Sequence, residues 1–167
     1  MVIRRMLAHV LHGPLQLRKT FPKSLLNALE TEITQSENSH QGEIRFVVEA
    51  ALPVTNIWRS QSARDRAIEV FSELRVWDTE ANCGVLVYIL LADHALEIVA
   101  DRGIIAKVPQ VAWDLLCEKT KQSFAKKDFR NGSFSLIRAI TELLQSHFAQ
   151  DPAKNNPNEL PNSPIAR

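Results

Sequence analysis

Residues 84–103 read GVLVYILLADHALEIVADRG, and the way this stretch divides decides the fold. Residues 85–91, VLVYILL, are apolar without interruption. A strand that is apolar on both faces must be covered on both, which puts it at the centre of a sheet between two other layers. Ala92, Asp93 and His94 then separate it from a second run, in which Leu96 and Ile98 alternate with Glu97 and Val99. So short a connection joins antiparallel strands. The pair therefore reads as a hairpin whose second strand is the more exposed.

Upstream, GEIRFVVEAAL at 42–52 sets Ile44, Phe46 and Val48 against Arg45, Val47 and Glu49, the two-residue period of another strand. Between it and the hairpin lies a helical pattern, with Ser62 and Asp65 as an imperfect capping box ahead of Ala67, Ile68, Phe71 and Leu74. A helical crossover makes the two strands it links parallel. An earlier helix opens near Thr20 and aligns Phe21, Leu25, Leu29 and Ile33. Pro109 opens another with Val111, Ala112, Leu115 and Leu116. After a break at Asn131 and Gly132, the last places Leu136, Ile137, Ile140, Leu143 and Leu144 on one stripe. The fold class that follows is α/β: a three-layer α/β/α sandwich with a small mixed central sheet that contains a hairpin and carries helices on both faces. Residues 20–149 form this domain. Residues 1–19 are a basic amphipathic N-terminal segment, and residues 150–167, QDPAKNNPNELPNSPIAR, read as a Pro/Asn-rich flexible tail with almost nothing to bury.

A chain of 167 residues buries a core without staples, and its 20 basic and 19 acidic residues sum to a formal charge of +1. That balance lacks the field of a general nucleic-acid binder, and no nucleic-acid partner is expected. Cys83 and Cys117 have no second thiol at a metal or redox spacing and read as buried reduced thiols. No apolar run is long enough to span a bilayer, and Arg4 and Arg5 interrupt the start too early for a signal peptide, so a cytoplasmic protein is expected. In the first eleven residues Ile3, Met6, Leu7, Val10 and Leu11 recur at helical spacing, and no acidic residue precedes Glu30. Residues 1–12 are thus suited to peripheral contact with an anionic membrane; the other reading packs the apolar stripe onto the domain.

Little else looks like chemistry. DTEANCG at 78–84 has oxygen-bearing side chains at alternate positions, but a calcium loop needs Gly at its sixth position and Glu at its twelfth, where this chain has Cys83 and Ile89. A polar turn that admits the chain to the central strand accounts for it equally well. The hairpin brings Asp101, Arg102 and Gly103 beside residues 80–84, and a parallel first strand adds Glu43. Glu43, Glu80, Asn82 and Asp101 are therefore candidate ligands for a hard divalent cation, calcium or magnesium. Asp101 and Arg102 are the catalytic candidates, with Arg102 placed to receive a phosphate. An Asp101–Arg102 ion pair with ordinary capping is the competing expectation. Arg59, Arg64 and Arg66 crowd one helix start, as an anion site or as a solvated face paired with Asp65 and Glu69. The histidines form no HExxH, and there is no GxSxG, P-loop or GxGxxG.

The segments GEIRFVVEAAL, RAIEVFSELRVWDTEANCGVLVYILLADHALEIVADRGI and FRNGSFSLIRAITELL resemble the TPM-domain family, named for its thylakoid-lumen, photosystem-associated and receptor-modulator members. The likeness spans about residues 20–150 and is most telling in the hairpin that ends in IVADRGI. It implies an α/β/α sandwich, an acid-phosphatase-like activity proposed for some members, and a calcium or other divalent ion near the rim just described. Exported relatives carry an Asp-containing stretch before the first helix, where this chain has LHGPLQLRKTFP without a carboxylate. The chain looks like a short cytoplasmic bacterial branch of the family. A gene setting like that of LemA-type membrane proteins implies a membrane-associated, envelope-linked partner. Two functional readings follow: a binding or regulatory module with such a partner, or a divalent-cation-dependent, acid-phosphatase-like hydrolase of phosphate monoesters.

Overall fold

The computed structural model describes residues 2–150 and 157–167. Strand β2 (Gly84–Leu90) is buried at every position. It lies between β1 (Glu43–Glu49), parallel to it in the register Glu43↔Gly84 to Glu49↔Leu90, and β3 (Ala95–Ala100), antiparallel from Val85↔Ala100 to Leu90↔Ala95. The expected hairpin and helical crossover are both present. On one face of the sheet Ile44, Phe46, Val48, Val85, Val87, Ile89, Leu96 and Ile98 pack under helices α3 (Lys23–Glu37), α7 (Gln110–Ala125) and α8 (Phe129–His147). On the other, Val47, Leu86, Tyr88 and Leu90 meet Ile57 of α4 (Val54–Trp58) and Ala67 and Val70 of α5 (Ala63–Glu73). The α/β/α sandwich is thus built by strict alternation along two strands, each buried Leu- or Ile-sized side chain contributing about 1.5–3 kcal/mol.

Several local readings need correction. A further helix precedes the one expected to open near Thr20: Pro14, with no N–H to lose, starts α2 (Pro14–Thr20). Thr20 ends that helix, and Pro22 precedes α3. Asn131 and Gly132 lie inside α8, whose first turn is capped by Asp128 accepting from the Asn131 N–H at 3.2 Å. A Cβ on Gly132 would come 2.8 Å from the Phe124 ring, so this glycine serves close packing between α7 and α8 rather than a turn.

The largest correction concerns the C-terminal end. Residues 157–167 are not a free tail but return to the sheet, where β4 (Ile165–Ala166) pairs in parallel with Val47 and Val48 of β1. The strand order is β3-β2-β1-β4. The physical reason lies in β1, whose Glu43, Arg45 and Glu49 occupy alternate positions and are all buried. Glu43 Oε2 accepts from the Leu160 N–H at 3.1 Å, Arg45 donates to the Ser163 carbonyl at 3.3 Å, and Arg167 Nε lies 3.4 Å from Glu49. The polar face of the strand is covered by chain that satisfies it, as buried charge requires. Residues 151–156 lie outside the described residues.

Glu49 is the hub of a wider network. Its carboxylate accepts from the Tyr88 hydroxyl and from Arg66 Nε at 3.0 Å, while Arg66 also reaches Glu69 at 3.0 Å and Glu73 at 2.8 Å. Arg66 is thereby bound to β1 and its own helix, and Arg64 donates to the Ile98 carbonyl, so these two arginines of the helix start are engaged within the protein. Glu49→Ala strands Arg66 and Tyr88 in the core and is expected to cost about 3–5 kcal/mol in urea unfolding. Glu69→Ala, at the exposed end of the same network, is expected to cost less than about 1 kcal/mol.

Glu37, at the end of α3, accepts from the Ile44 N–H at 2.8 Å through Oε1, and its Oε2 is buried without a partner. Burial pushes its pKa up to about 8. A folded-state pKa above the unfolded value means that the contribution of Glu37 to stability is greatest below about pH 4.3 and is lost as pH rises through about 8. Glu37→Gln is therefore expected to match the parent in chemical denaturation at pH 4 and to exceed it by about 1–3 kcal/mol at pH 9.

Candidate functional site

The register of the sheet gathers the candidate residues at one end. Glu43 pairs with Gly84, the Asp101 N–H donates to the Gly84 carbonyl at 2.9 Å, and the Gly103 N–H donates to the Asn82 carbonyl at 3.1 Å. Two glycines make this approach possible. A Cβ on Gly84 would sit 1.9 Å from the Val76 carbonyl oxygen, and one on Gly103 2.5 Å from that of Asn82. Asn82 itself is in the left-handed region at φ 50°, which asparagine tolerates.

Three of the four candidate ligands, Glu43, Asn82 and Asp101, already have a side-chain oxygen engaged within the protein. Asp101 Oδ1 accepts from the Arg102 N–H at 2.7 Å and caps the short helix α6 (Arg102–Ile105). Arg102 Nε donates to Asn82 Oδ1 at 2.8 Å, so the arginine binds the asparagine rather than pairing with Asp101. Glu43 is turned toward Leu160; burial raises its pKa, and the charge of Glu159 adds to this. Glu80 is exposed, and it is its backbone N–H that engages the rim, donating to Glu159 at 2.9 Å. The sequence reading missed Glu159 because it assigned that residue to a tail. Cys83 is buried among these groups, donates to the Gln41 carbonyl, and is pushed up to about 11, chiefly by burial.

This donor set does not fit a hard cation. Asp101 Oδ2 is buried and without a partner, but calcium takes six to eight oxygens. The Asn82 oxygen is held by a guanidinium whose charge repels a metal. Among the described residues no three His, Cys, Asp or Glu side chains stand close enough to hold a metal ion. DTEANCG reads here as the structural entry to β2: Thr79 Oγ1 accepts from the Cys83 N–H at 3.0 Å, and the Asn82 N–H donates to the Thr79 carbonyl.

The opposite end of the sheet carries an arrangement the sequence did not reveal. Helix α1 (Val2–Leu11) is fastened to the β2–β3 turn by its polar side. Arg5 donates to both Asp93 oxygens, at 3.0 and 2.7 Å, and to the Gln61 carbonyl at 2.8 Å. His9 is buried; its Nδ1 accepts from the Leu52 N–H at 2.8 Å, so its proton lies on Nε2, which donates to Asp93 Oδ1 at 2.9 Å. Burial disfavours the Asp93 carboxylate, but the hydrogen bonds from Arg5 and His9 outweigh it and hold the pKa below the ordinary carboxylate range. Of the apolar stripe Met6 alone packs against the core, and the rest turns away from the domain. Ile3, Leu7, Val10, Leu11 and, from α2, Leu15 are between 58% and 83% exposed.

A family model for the TPM domain matches residues 17–143. Among solved structures the chain is similar to the BA42 protein of the psychrophilic bacterium Bizionia argentinensis, known from an NMR structure. The match has a TM-score of 0.75 at 26% identity and covers 86% of this chain and 93% of that one. No curated protein matches the chain. No helix among the described residues is long and apolar enough to cross a membrane.

A calcium titration followed by two-dimensional amide NMR is expected to move resonances only at residues 80–84 and 101–103, without saturation below about 1 mM calcium. Stoichiometric binding at micromolar calcium in calorimetry would overturn this reading of the donor set.

Proposed function

The chain belongs to the TPM domain family, and from that premise we propose that it is a binding module that works without catalysis of its own, docked by α1 and α2 on an anionic membrane surface beside an envelope-associated protein. The observation that carries this reading is the direction of α1. A helix normally turns its apolar stripe inward. Here Arg5 and His9 take the inward side, and the stripe of Ile3, Leu7, Val10 and Leu11 is held outward on a fixed support. Arg4, Arg18, Lys19 and Lys23 are all exposed along the same segment, in which no acidic residue occurs. Near an anionic surface each such charge contributes about 1 kcal/mol. Neighbouring α4 adds Trp58, 71% exposed, of the residue type that anchors at membrane interfaces.

The protein partner, of the LemA type, rests on the family resemblance. So does the alternative, a divalent-cation-dependent phosphatase acting on phosphate monoesters. Its support in the fold is the unpartnered Asp101 Oδ2. With Asn82 held by Arg102 and Glu43 by Leu160, no base and no metal shell accompany that oxygen, and the binding module is the better-supported reading.

Sedimentation with phosphatidylglycerol vesicles, against phosphatidylcholine vesicles as control, tests it. Binding is expected to the anionic vesicles, with a blue shift of tryptophan emission that Trp58→Phe removes, and to weaken at about 0.5 M salt. Leu7→Glu with Leu11→Glu is expected to reduce vesicle binding at least about tenfold, with thermal unfolding unchanged because both positions are exposed. Binding that survives the double substitution, or none to either vesicle, would sink the proposal.

A further inference from the structure

A cavity of about 430 Å³ opens at the hairpin-turn end of the sheet, between β2–β3, α2 and the last turn of α7. Its size falls in the range of small-molecule sites, roughly 300–1,000 Å³. The body is apolar, lined by Ile89, Leu90, Leu91, Ala95 and Ala125 with the rings of Phe124 and Phe129. The ring wall is preformed. Phe124 and Phe129 stack with centroids 5.0 Å apart, and Phe21 braces them at 6.4 and 5.7 Å. The polar groups come from His12, Gln16, Thr20, His94 and Lys121.

Each of these polar groups keeps hydrogen-bonding capacity that the protein does not use. The Thr20 hydroxyl, the Gln16 amide and the His94 ring make no hydrogen bond among the described residues, and His12 uses only Nδ1, donating to the Ala8 carbonyl at 2.8 Å and leaving Nε2 open. The His12 and His94 rings stand edge to face, 6.0 Å apart. No carboxylate lines the cavity. Its one permanent cation, Lys121, has an exposed partner in Glu118 at 3.2 Å and keeps further N–H donors for a ligand. A cationic ligand would meet the Lys121 ammonium with no carboxylate to offset it, and a wholly apolar one would dry polar groups without pairing them. The carbonyl ends of α2 and α7 oppose negative charge here, and the single lysine offsets one such charge but not the two of a dianion.

We propose that this cavity binds a small monocarboxylate with an apolar alkyl or aryl body, the body against Phe124 and Phe129 and the carboxylate among Lys121, Thr20 and His94. The carboxylate comes either from a free organic acid or from a fatty acid released by a lipid. The site is separate from the outer face of α1 and does not depend on membrane docking.

Amide NMR titration with 4-phenylbutyrate tests it, with the neutral 4-phenylbutanamide as the matched control. The expected result is saturable shifts at Thr20, Leu91, His94 and Ala125 with a dissociation constant of about 0.1–1 mM, and at least about tenfold weaker binding of the amide. Ala125→Trp, a change at an exposed position that closes the opening, is expected to abolish the shifts. Lys121→Gln is expected to bring the acid down to the affinity of the amide. A parallel titration with octanoate, compared by competition, separates the two sources: displacement of 4-phenylbutyrate at lower octanoate concentration assigns a fatty acid, and the reverse order assigns a compact aryl acid. Equal binding of acid and amide, retention of the shifts in Ala125→Trp, or no saturable shift up to about 5 mM acid overturns the proposal.

Discussion

Every other feature of this molecule depends on the burial of β2 from both sides. A strand without a polar face has no solvent side, so the chain must supply α3, α7 and α8 above it and α4 and α5 below. It must also supply strands on both edges. Once β3 returns antiparallel and β1 arrives through a helical crossover, the two ends of the sheet become chemically different. One holds the strand starts, Gly84 and Glu43, with Asp101; the other holds the hairpin turn and Asp93. Everything that bears on function sits at one of these two ends.

The strands were legible because period and burial agree: VLVYILL has no polar position to misplace, and LEIV alternates as its neighbours require. β1 was legible as a strand but not in its environment. The alternation of Arg45 and Glu49 with Phe46 and Val48 is the ordinary signature of a face turned to water, and nothing local distinguishes it from charges buried under residues 157–167. Glu43 meets Leu160, and Arg45 meets Ser163, across most of the length of the chain. The signal lay in two weak halves. One was a strand with three charges; the other was a Pro/Asn-rich segment whose only large apolar residues are Leu160 and Ile165. Neither half implies the other without the fold. The candidate rim was legible in its placement, since topology alone put Glu43, Asn82 and Asp101 together. It was not legible in its chemistry, because the partners that occupy those oxygens are Leu160, Arg102 and a backbone N–H.

The direction of α1 illustrates a second limit of pattern reading. A hydrophobic stripe states that one side of a helix avoids water, not what covers it. Two opposing choices were open: to bury Leu7 and Leu11 on the domain, or to satisfy Asp93. The hairpin turn decides between them. Asp93 follows directly on buried strand and is itself partly buried, and a carboxylate there without a cation would be costly. Arg5 and His9 meet that need, and His9 also occupies the Leu52 N–H, which the end of β1 leaves open. One residue in a four-residue connection thus sets the orientation of the N-terminal helix, and most of its apolar side chains point outward as a consequence.

The contrast between the two ends also locates where binding is to be sought. At the rim, the buried donors and acceptors are consumed by the protein itself, apart from Asp101 Oδ2, and Glu80 faces solvent. At the hairpin end the reverse holds: Thr20, Gln16 and His94 keep their hydrogen-bonding capacity, and an apolar cavity lies beside them. A fold gains nothing in stability from donors left facing an unfilled space, since they neither pair within the protein nor favour apolar packing. The same groups gain value when a ligand brings acceptors to them. Family resemblance directs attention to the strand-start rim, whereas the balance of satisfied and unsatisfied groups directs it to the opposite end. The second argument rests on this chain's own residues, and it identifies the hairpin end as the chemically open face of the domain.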